Sequence, residues 1–245
     1  MSGHSKWATT KRKKAAIDAK RGKLFTKLIK EITIAARQGG GDIAGNPRLR
    51  LAVDNAKAAN MPADNIDRAI KKATGELEGQ NYSELTYEGY GPAGVAVLVE
   101  VATDNKNRTV AEVRHLFSKY GGSLGETGSV SWMFERKGVI TLPRNDKSED
   151  EMMEIIIDAG AEDLQTEEDF FEVYTSVEDF EPVRKKLIDK KIIPDNASLQ
   201  WIAKNYIKVN GEDAEKAIKL LEAIEDCDDV QNVFSNADID DSSIS

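Results

Sequence analysis

KRGKLFTKLIKEITIAARQGGG, residues 20–41, is the stretch from which the fold of this chain can be worked out. Its apolar residues recur at the intervals of one helical face. Three consecutive glycines follow, and glycine readily adopts the left-handed turn that ends a helix. The stretch therefore predicts an amphipathic, lysine-rich helix. Its apolar face consists of Leu24, Phe25, Leu28, Ile29, Ile32, Ala35 and Ala36.

Two more helices are predicted before residue 76. Asn46 and Pro47 form a typical helix start, because asparagine caps free N–H groups and proline has no N–H to leave unpaired. A break at 60–62 separates this helix from a third, which ends at Gly75. Residues 1–75 therefore predict a three-helix bundle, preceded by a basic arm.

The charge of the chain is unevenly distributed. Residues 1–75 contain 17 Lys and Arg against 6 Asp and Glu, a net charge of +11, whereas the whole chain has a net charge of −9. Residues 76–245 therefore carry −20. A chain that collects its positive charge at one end presents that end to a polyanion, and nucleic acid is the favoured partner. A solvated basic helix without a partner is the alternative.

Beyond residue 76 the pattern changes to alternating strands and helices. Valines at every second position of 95–101 predict a strand with a buried face. A helix is predicted from 107 to 120, and a second strand from 129 to 134. Together these segments form one strand–helix–strand unit.

The next segment, 137–204, predicts six elements in the order β-α-β-β-α-β, which is the order of a ferredoxin-like domain. A further strand, helix and strand follow at 206–209, 213–224 and 230–234. This last group provides the second half that the unit at 95–134 lacks, and pairing the two halves would cover an otherwise exposed sheet face. Residues from 236 onward are expected to form a frayed tail.

The predicted fold class is therefore α+β, with an N-terminal three-helix bundle and two ferredoxin-like α/β domains, one inserted in the other. The predicted boundaries are 1–75 for the basic helical domain, 76–136 with 205–245 for the discontinuous domain, and 137–204 for the inserted domain.

No set of residues predicts catalysis. Cys227 is the only cysteine and lies among carboxylates, which disfavour a reactive thiolate. The two histidines, His4 and His115, cannot form a three-histidine metal site. The string GYGPAG at 89–94 precedes a strand, whereas a dinucleotide-binding motif follows one, so a tight turn is expected there. We predict a non-enzyme with no catalytic residue, metal, cofactor or small-molecule substrate.

Neither a membrane nor a secretory pathway is indicated. No uncharged run approaches the roughly 18 residues expected of a membrane span, and lysines occupy the positions where an apolar signal region would lie. A cytoplasmic location is the resulting expectation.

The basic residues at the front of the chain are the candidate nucleic-acid contacts. Lysine and arginine would bind backbone phosphates, which gives affinity and orientation but no choice of sequence. Trp7 or His4 could stack on an exposed base if the target is RNA. The predicted nucleic-acid-binding residues are Lys6, Trp7, Lys11, Arg12, Lys13, Lys14, Lys20, Arg21, Lys23, Lys27, Arg48 and Arg50, the two last being secondary.

Several long motifs resemble the YebC/PmpR family. They are GHSKW (3–7), KRGKLFTKLIKEI (20–32), GGGD (39–42), NPRLR (46–50), YEGYGP (87–92), DNKNRT (104–109), AEVRHLFSKYGG (111–122) and EDCDDV (225–230). The resemblance spans nearly the whole chain. It implies three domains, one helical and two α/β, and a cytoplasmic regulator of gene expression.

The resemblance leaves two functions open. Many members of that family are described as DNA-binding transcriptional regulators, while others, including mitochondrial relatives, act in translation at the ribosome. We therefore expect a DNA-binding transcriptional regulator, with a translation factor that binds ribosomal or messenger RNA as the alternative. Both targets present phosphates, so the sequence does not separate them.

Overall fold

The computed structural model describes residues 19–145 and 147–239, apart from the side chains of 19–21. It has a mixed α+β fold with helices first, which confirms the predicted fold class. The helices are α1 (Ala19–Gly39), α2 (Pro47–Ala58), α3 (Ala63–Thr74), α4 (Lys106–Lys119), α5 (Glu149–Ala159), α6 (Phe180–Asp189) and α7 (Gly211–Glu225). The strands are β1 (Ser83–Tyr90), β2 (Ala96–Thr103), β3 (Ser123–Leu124), β4 (Phe134–Pro143), β5 (Asp163–Thr166), β6 (Phe170–Thr175), β7 (Asn196–Ala203), β8 (Ile207–Val209), β9 (Val230–Ser235) and β10 (Ala237–Ile239).

Asn46 joins α1 to α2 in the helical bundle. Its side-chain oxygen accepts a hydrogen bond from the Leu49 N–H at 3.0 Å, as an N-cap does. Its amide group donates to the Ala35 and Gly40 carbonyls at the end of α1, at 2.8 and 2.9 Å. A Cβ at Gly39 would lie 2.6 Å from the Asn46 amide nitrogen, so glycine is required for this close approach.

The middle sheet has the strand order β3-β1-β2-β9, and every pairing is antiparallel. The odd-numbered valines of β2 pack with α4 and α7 in one core, while Ala96 and Leu98 face a second cluster on the opposite side. Because β2 is buried on both faces, it forms the centre of this part of the molecule.

The strand predicted at 129–134 is wrong for most of its length. The chain forms a loop there, followed by a 3₁₀ turn at Ser131–Met133, and β4 begins only at Phe134. The strand that follows α4 is the short β3. Three backbone N–H groups of the loop donate to the Glu88 carboxylate, so they are not available for a strand ladder.

The group of elements predicted at 206–234 divides between two sheets. β9 pairs with β2 in the middle sheet, but β8 pairs in parallel with β10 in a separate two-stranded sheet. Residues 237–239 therefore form a strand, and the expectation of a frayed tail from 236 is wrong for them. Burial of Ala237 and Ile239 accounts for their order.

The third sheet has the order β5-β6-β4-β7, again antiparallel throughout. Within β4-α5-β5-β6-α6-β7, this is the arrangement of a ferredoxin-like fold. Its core lies between the sheet and the pair α5 and α6, where Ile140, Phe171 and Leu187 are among the fully buried residues.

The middle sheet and the third sheet share a polar and an apolar contact. The carboxylate of Glu100 on β2 accepts hydrogen bonds from Arg136 at 2.9 Å, from the Trp201 indole at 3.0 Å and from Asn232 at 3.0 Å. Phe134 and other residues at the ends of β4 and β7 pack beside this network.

Within the described ranges, no helix is long and apolar enough to cross a membrane.

Candidate nucleic-acid interface

The structure describes part of the predicted interface. Lys6, Trp7, Lys11, Arg12, Lys13 and Lys14 lie outside the described residues. Lys20 and Arg21 lie in the first turn of α1, but their side chains are not among those described. The structure describes the side chains of four of the predicted contacts, which are Lys23, Lys27, Arg48 and Arg50.

Lys23 and Lys27 contact the C-terminal end of α7. The Lys23 ammonium group lies 3.0 Å from the Asp226 carboxylate and 3.2 Å from the Asp226 carbonyl oxygen. The Lys27 ammonium group donates to the Glu225 carbonyl oxygen at 3.2 Å. Cations are favoured here because the last carbonyls of a helix are unpaired and carry partial negative charge.

Lys30, one helical turn further along α1, is buried and fully paired. Its ammonium group donates to the Ala102 carbonyl at 3.1 Å, the Asp228 carbonyl at 2.7 Å and one carboxylate oxygen of Asp229 at 2.9 Å. An ammonium group has three N–H donors, so all of them are used. Lys23, Lys27 and Lys30 thus form a row of cations that attaches the helical bundle to the middle sheet and its helices α4 and α7, which we call the middle domain.

Asp229 receives donors on both carboxylate oxygens. The second oxygen accepts from Thr103 at 3.0 Å, Arg108 at 2.6 Å and Thr109 at 2.8 Å. Burial alone would raise the pKa of Asp229, but hydrogen bonds from Arg108, Lys30 and Thr109 outweigh burial and hold the pKa well below its usual range. The carboxylate is therefore ionised at neutral pH.

Arg48 bridges two carboxylates. Its guanidinium group donates to both oxygens of Glu31, at 2.8 and 3.1 Å, and also to both oxygens of Glu84 on β1. Burial would lower the pKa of Arg48, yet the hydrogen bonds to Glu84 and Glu31 raise it above its ordinary value. The bond from Arg48 in turn lowers the pKa of Glu84. Bidentate pairing of this kind is strong and geometrically specific.

Arg50 is paired more loosely. It donates to the Ala44 carbonyl at 3.1 Å, and its Nε lies 3.7 Å from the carboxylate of Glu181 on α6. Lys23, Lys27, Arg48 and Arg50 thus all have partners inside the molecule, so a phosphate would have to compete with those partners.

A different set of cations has no such partners. The side chains of Lys57, Arg68, Lys71 and Lys72 are exposed, and within the described ranges none of them forms a hydrogen bond or an ion pair. The last three lie on α3 at i, i+3 and i+4, so they project from one side of the helix. The opposite side packs Ile66, Ala69 and Ala73 into the bundle. We call Arg68, Lys71 and Lys72 the α3 basic face.

The sequence prediction missed the α3 basic face, although its signal is present. In the sequence, the three cations fall between apolar residues that recur at helical spacing, so they are expected on the opposite side of the helix. Asp64 and Asp67 in the same helix reduce its net charge, so the helix does not stand out as basic. In the structure Asp64 lies in the first turn and Lys71 and Lys72 lie in the last, an arrangement that also complements the helix dipole.

Within the part of the chain that the structure describes, which excludes His4, the groups considered for chemistry do not assemble into a reactive site. Burial, together with nearby carboxylates including Glu112, raises the pKa of Cys227 to about 12. In the segment at 89–94, Gly89 and Tyr90 end β1 and Pro92–Gly94 form a 3₁₀ turn that leads to β2, so the expected tight turn is present. Among the described residues, no group of three or more His, Cys, Asp or Glu side chains is placed to hold a metal ion.

Comparison with known proteins places the chain among relatives of similar length. A family model described as "TACO1/YebC protein N-terminal domain" matches residues 5–76, and one described as "TACO1/YebC second and third domain" matches residues 82–237. Proteins named "Probable transcriptional regulatory protein" from Chlorobaculum parvum and Chlorobaculum tepidum are each 61% identical over 246 residues, covering 100% of this chain and 98% of the relative.

A solved structure is also similar. The crystal structure of a conserved hypothetical protein from Aquifex aeolicus has a TM-score of 0.87 to this chain at 49% identity. The match covers 93% of this chain and 94% of that one.

Proposed function

The chain belongs to the TACO1/YebC family, and we propose that it is a nucleic-acid-binding regulator of gene expression that has no catalytic activity and acts on DNA in the cytoplasm. The regulatory role is supported by the names of the relatives, which are probable transcriptional regulatory proteins. The choice of DNA follows the same names.

The observation that carries the proposal is the distribution of charge. The first 75 residues have a net charge of +11 and the rest of the chain −20. The α3 basic face shows that part of this positive charge is exposed without an intramolecular carboxylate partner among the described residues. Like charge would repel DNA from the α/β domains, so DNA would meet the helical domain.

The cations of the helical domain have two roles in this proposal. The arm residues Lys6, Lys11, Arg12, Lys13 and Lys14, together with Lys20, Arg21 and the α3 basic face, contact phosphates. Lys23, Lys27, Arg48 and Arg50 hold the helical domain on the α/β domains, because they are already bonded to carboxylates and carbonyls there. Their contribution to DNA affinity is therefore secondary.

Salt dependence of DNA binding tests the proposal. A protein that neutralises about 6–10 phosphates loses about 10³–10⁵-fold in affinity between about 50 and 200 mM salt, because binding releases condensed counterions. We expect the affinity of the full chain for a duplex, measured by fluorescence anisotropy, to fall by a factor in this range. A flat response would contradict the electrostatic premise.

An arm variant adds a matched comparison. Substituting Lys11, Arg12, Lys13 and Lys14 by Gln should reduce the slope of log affinity against log salt by about 3–4, because each neutralised phosphate contributes about 0.9 to the slope. Lys216→Gln with Lys219→Gln is the control, because these lysines pair with Glu212 and Glu215 on α7. An unchanged slope in the arm variant would remove the arm from the interface.

The ribosome is the alternative target, because ribosomal and messenger RNA offer the same phosphates as DNA. Cosedimentation with ribosomes at moderate salt, compared with gel shifts on duplex DNA, separates the two. Stable cosedimentation without a gel shift would replace the DNA assignment by a role in translation.

A further inference from the structure

Trp132 has the most exposed large apolar side chain in the described part of the protein, at 65%. Tryptophan is on average a highly buried residue. Its neighbours Val130 and Phe134 are 0% and 3% exposed. The indole ring therefore projects into solvent from between two buried positions, and it is not part of a loop that is exposed throughout.

A buried carboxylate fixes the loop that presents this ring. Glu88 on β1 is 4% exposed and accepts hydrogen bonds from the backbone N–H groups of Gly128, Val130 and Ser131, each at 2.8 Å. Burial would raise the pKa of Glu88, but these three donors outweigh it and lower the pKa below its ordinary value. A ring on a loop held in this way loses little conformational entropy when it binds.

The polar atoms of Trp132 are already used inside the molecule. Its indole N–H donates to the Ser129 carbonyl at 3.0 Å, and its own carbonyl oxygen accepts from the Lys204 ammonium group at 3.0 Å. The Tyr90 hydroxyl donates to the same Ser129 carbonyl at 2.9 Å. The indole can therefore offer a partner its ring faces but not its N–H, which suits stacking.

Lys204 connects Trp132 to a cavity of about 180 Å³. Its side chain is exposed, and the bond to Trp132 uses one of its three N–H donors. Lys137, Glu135, Asp163 and Tyr174 also line the cavity. Lys204 thus links the two features, because its ammonium group bonds the main-chain carbonyl of Trp132 and its side chain lines the cavity.

We propose that Trp132 and Lys204 form a binding site for an unpaired nucleobase and its phosphate, with the base stacked on the indole ring. This inference rests on the proposed nucleic-acid-binding function. Stacking on an aromatic ring accepts any base, because every base has a π face. In a duplex both faces of a base are already stacked on neighbouring bases, so the ring can stack only on a base of a single-stranded segment.

The test compares two probes on the full chain. These are a single-stranded RNA oligonucleotide and a blunt DNA duplex with the same number of phosphates. Trp132→Leu keeps apolar bulk but removes the π face, whereas Trp132→Phe keeps a smaller aromatic face. Ile157→Ala is the control, because Ile157 is 64% exposed on α5 and has no part in the site.

Trp132→Leu should weaken single-strand binding about tenfold or more, and duplex binding by less than about twofold, since stacking contributes only where a base is unpaired. Trp132→Phe should recover part of the loss, and Ile157→Ala should change neither affinity. Quenching of tryptophan fluorescence by the single strand should be smaller in Trp132→Phe than in the wild-type chain.

Two results would overturn this inference alone. They are unchanged single-strand affinity in Trp132→Leu, and an equal loss on both probes, in each case with a wild-type chain that binds nucleic acid. Unchanged affinity would leave a protein partner as the occupant of the ring. A wild-type chain that binds neither probe would overturn the proposed function together with this inference.

Discussion

Lys30 donates from one buried ammonium group to three acceptors on the middle domain, and Asp229 completes the ion pair at 2.9 Å. The two side chains are 8% and 7% exposed. Removing charges from water is costly, and the cost is offset only where geometry and hydrogen bonding are complete. Here every donor of Lys30 is used and both oxygens of Asp229 accept hydrogen bonds, so loss of Lys30 leaves one oxygen of this buried carboxylate without a donor.

We predict that Lys30→Met lowers the free energy of unfolding by about 2–4 kcal/mol, because one oxygen of the Asp229 carboxylate, the buried Ala102 carbonyl and the partly buried Asp228 carbonyl lose their donor. Lys23→Met is the matched control on the same helix. The Lys23–Asp226 pair is 48% and 70% exposed, and exposed pairs contribute about 0–1 kcal/mol. Urea unfolding of both variants measures the difference. Equal effects would mean that Lys30 does not hold the domains together.

The lysines of α1 show that residue type alone does not predict what a side chain contacts. Lys23, Lys27 and Lys30 are identical letters in one lysine-rich helix, and their partners lie about 200 positions later, at 225–229. Without those partners, a row of lysines looks like a phosphate-binding surface. The structure shows that in the described part of α1 it serves at least in part as a domain contact.

At the level of elements, α3 is a helix with two unlike sides. Ile66, Ala69 and Ala73 fill the bundle core, and the α3 basic face points to solvent. Because exposed substitutions away from packing contacts seldom alter stability by more than about 0.5 kcal/mol, this face can be changed without disturbing the helix.

We predict that Arg68→Gln, Lys71→Gln and Lys72→Gln together reduce the salt slope of duplex binding by about 2–3, at about 0.9 for each phosphate that is no longer neutralised. The thermal unfolding midpoint should stay close to that of the wild-type chain. Salt titrations by fluorescence anisotropy give the slope, with Lys216→Gln and Lys219→Gln on α7 as the comparison. If the slope does not change, DNA does not contact α3.

Elements also show where local patterns fail. The segment 129–134 has strand-like alternation, but Glu88, some forty residues earlier, accepts the N–H groups of Val130 and Ser131. The segment 237–239 is close to the serine-rich end of the sequence, yet it pairs with β8 because Ala237 and Ile239 are buried. In both cases a distant partner overrides the local preference.

At the scale of the whole molecule, the helical bundle contacts both α/β domains. It meets the middle domain through Lys30 and Arg48, and it meets the third sheet through α2. Asn55 on α2 donates to the Ala197 carbonyl at 2.9 Å and accepts from the Ala197 N–H at 3.4 Å. Asn55 thus pairs with the free edge of β7, an edge that would otherwise have unpaired backbone groups.

We predict that Asn55→Ala increases the rate of hydrogen exchange at the Ala197 amide, because that N–H loses its partner across the domain boundary. Lys57→Ala on the same helix is the control, since Lys57 has no contact of this kind among the described residues. Hydrogen exchange followed by mass spectrometry or NMR resolves the site. Unaltered protection at Ala197 in Asn55→Ala would mean that other groups cover the β7 edge.

By itself the sequence determined the local features: the helical periodicity of 20–75, the Asn46 cap, the β-α-β-β-α-β order of 137–204 and the unequal charge of the two parts. Its long motifs also established the family, which the comparisons confirm. These features depend on neighbours within a few residues, or on composition, and so they can be predicted from the sequence.

Only the tertiary structure decided which cations have partners inside the molecule. Lys30 and Arg48 are paired with Asp229, Glu31 and Glu84, whereas the α3 basic face is exposed. It also decided that Trp132 projects from a loop fixed by Glu88. The physical reason is that electrostatic and hydrogen-bonding partners are chosen by distance in space, and spatial distance between residues far apart in the chain is set by how the domains pack.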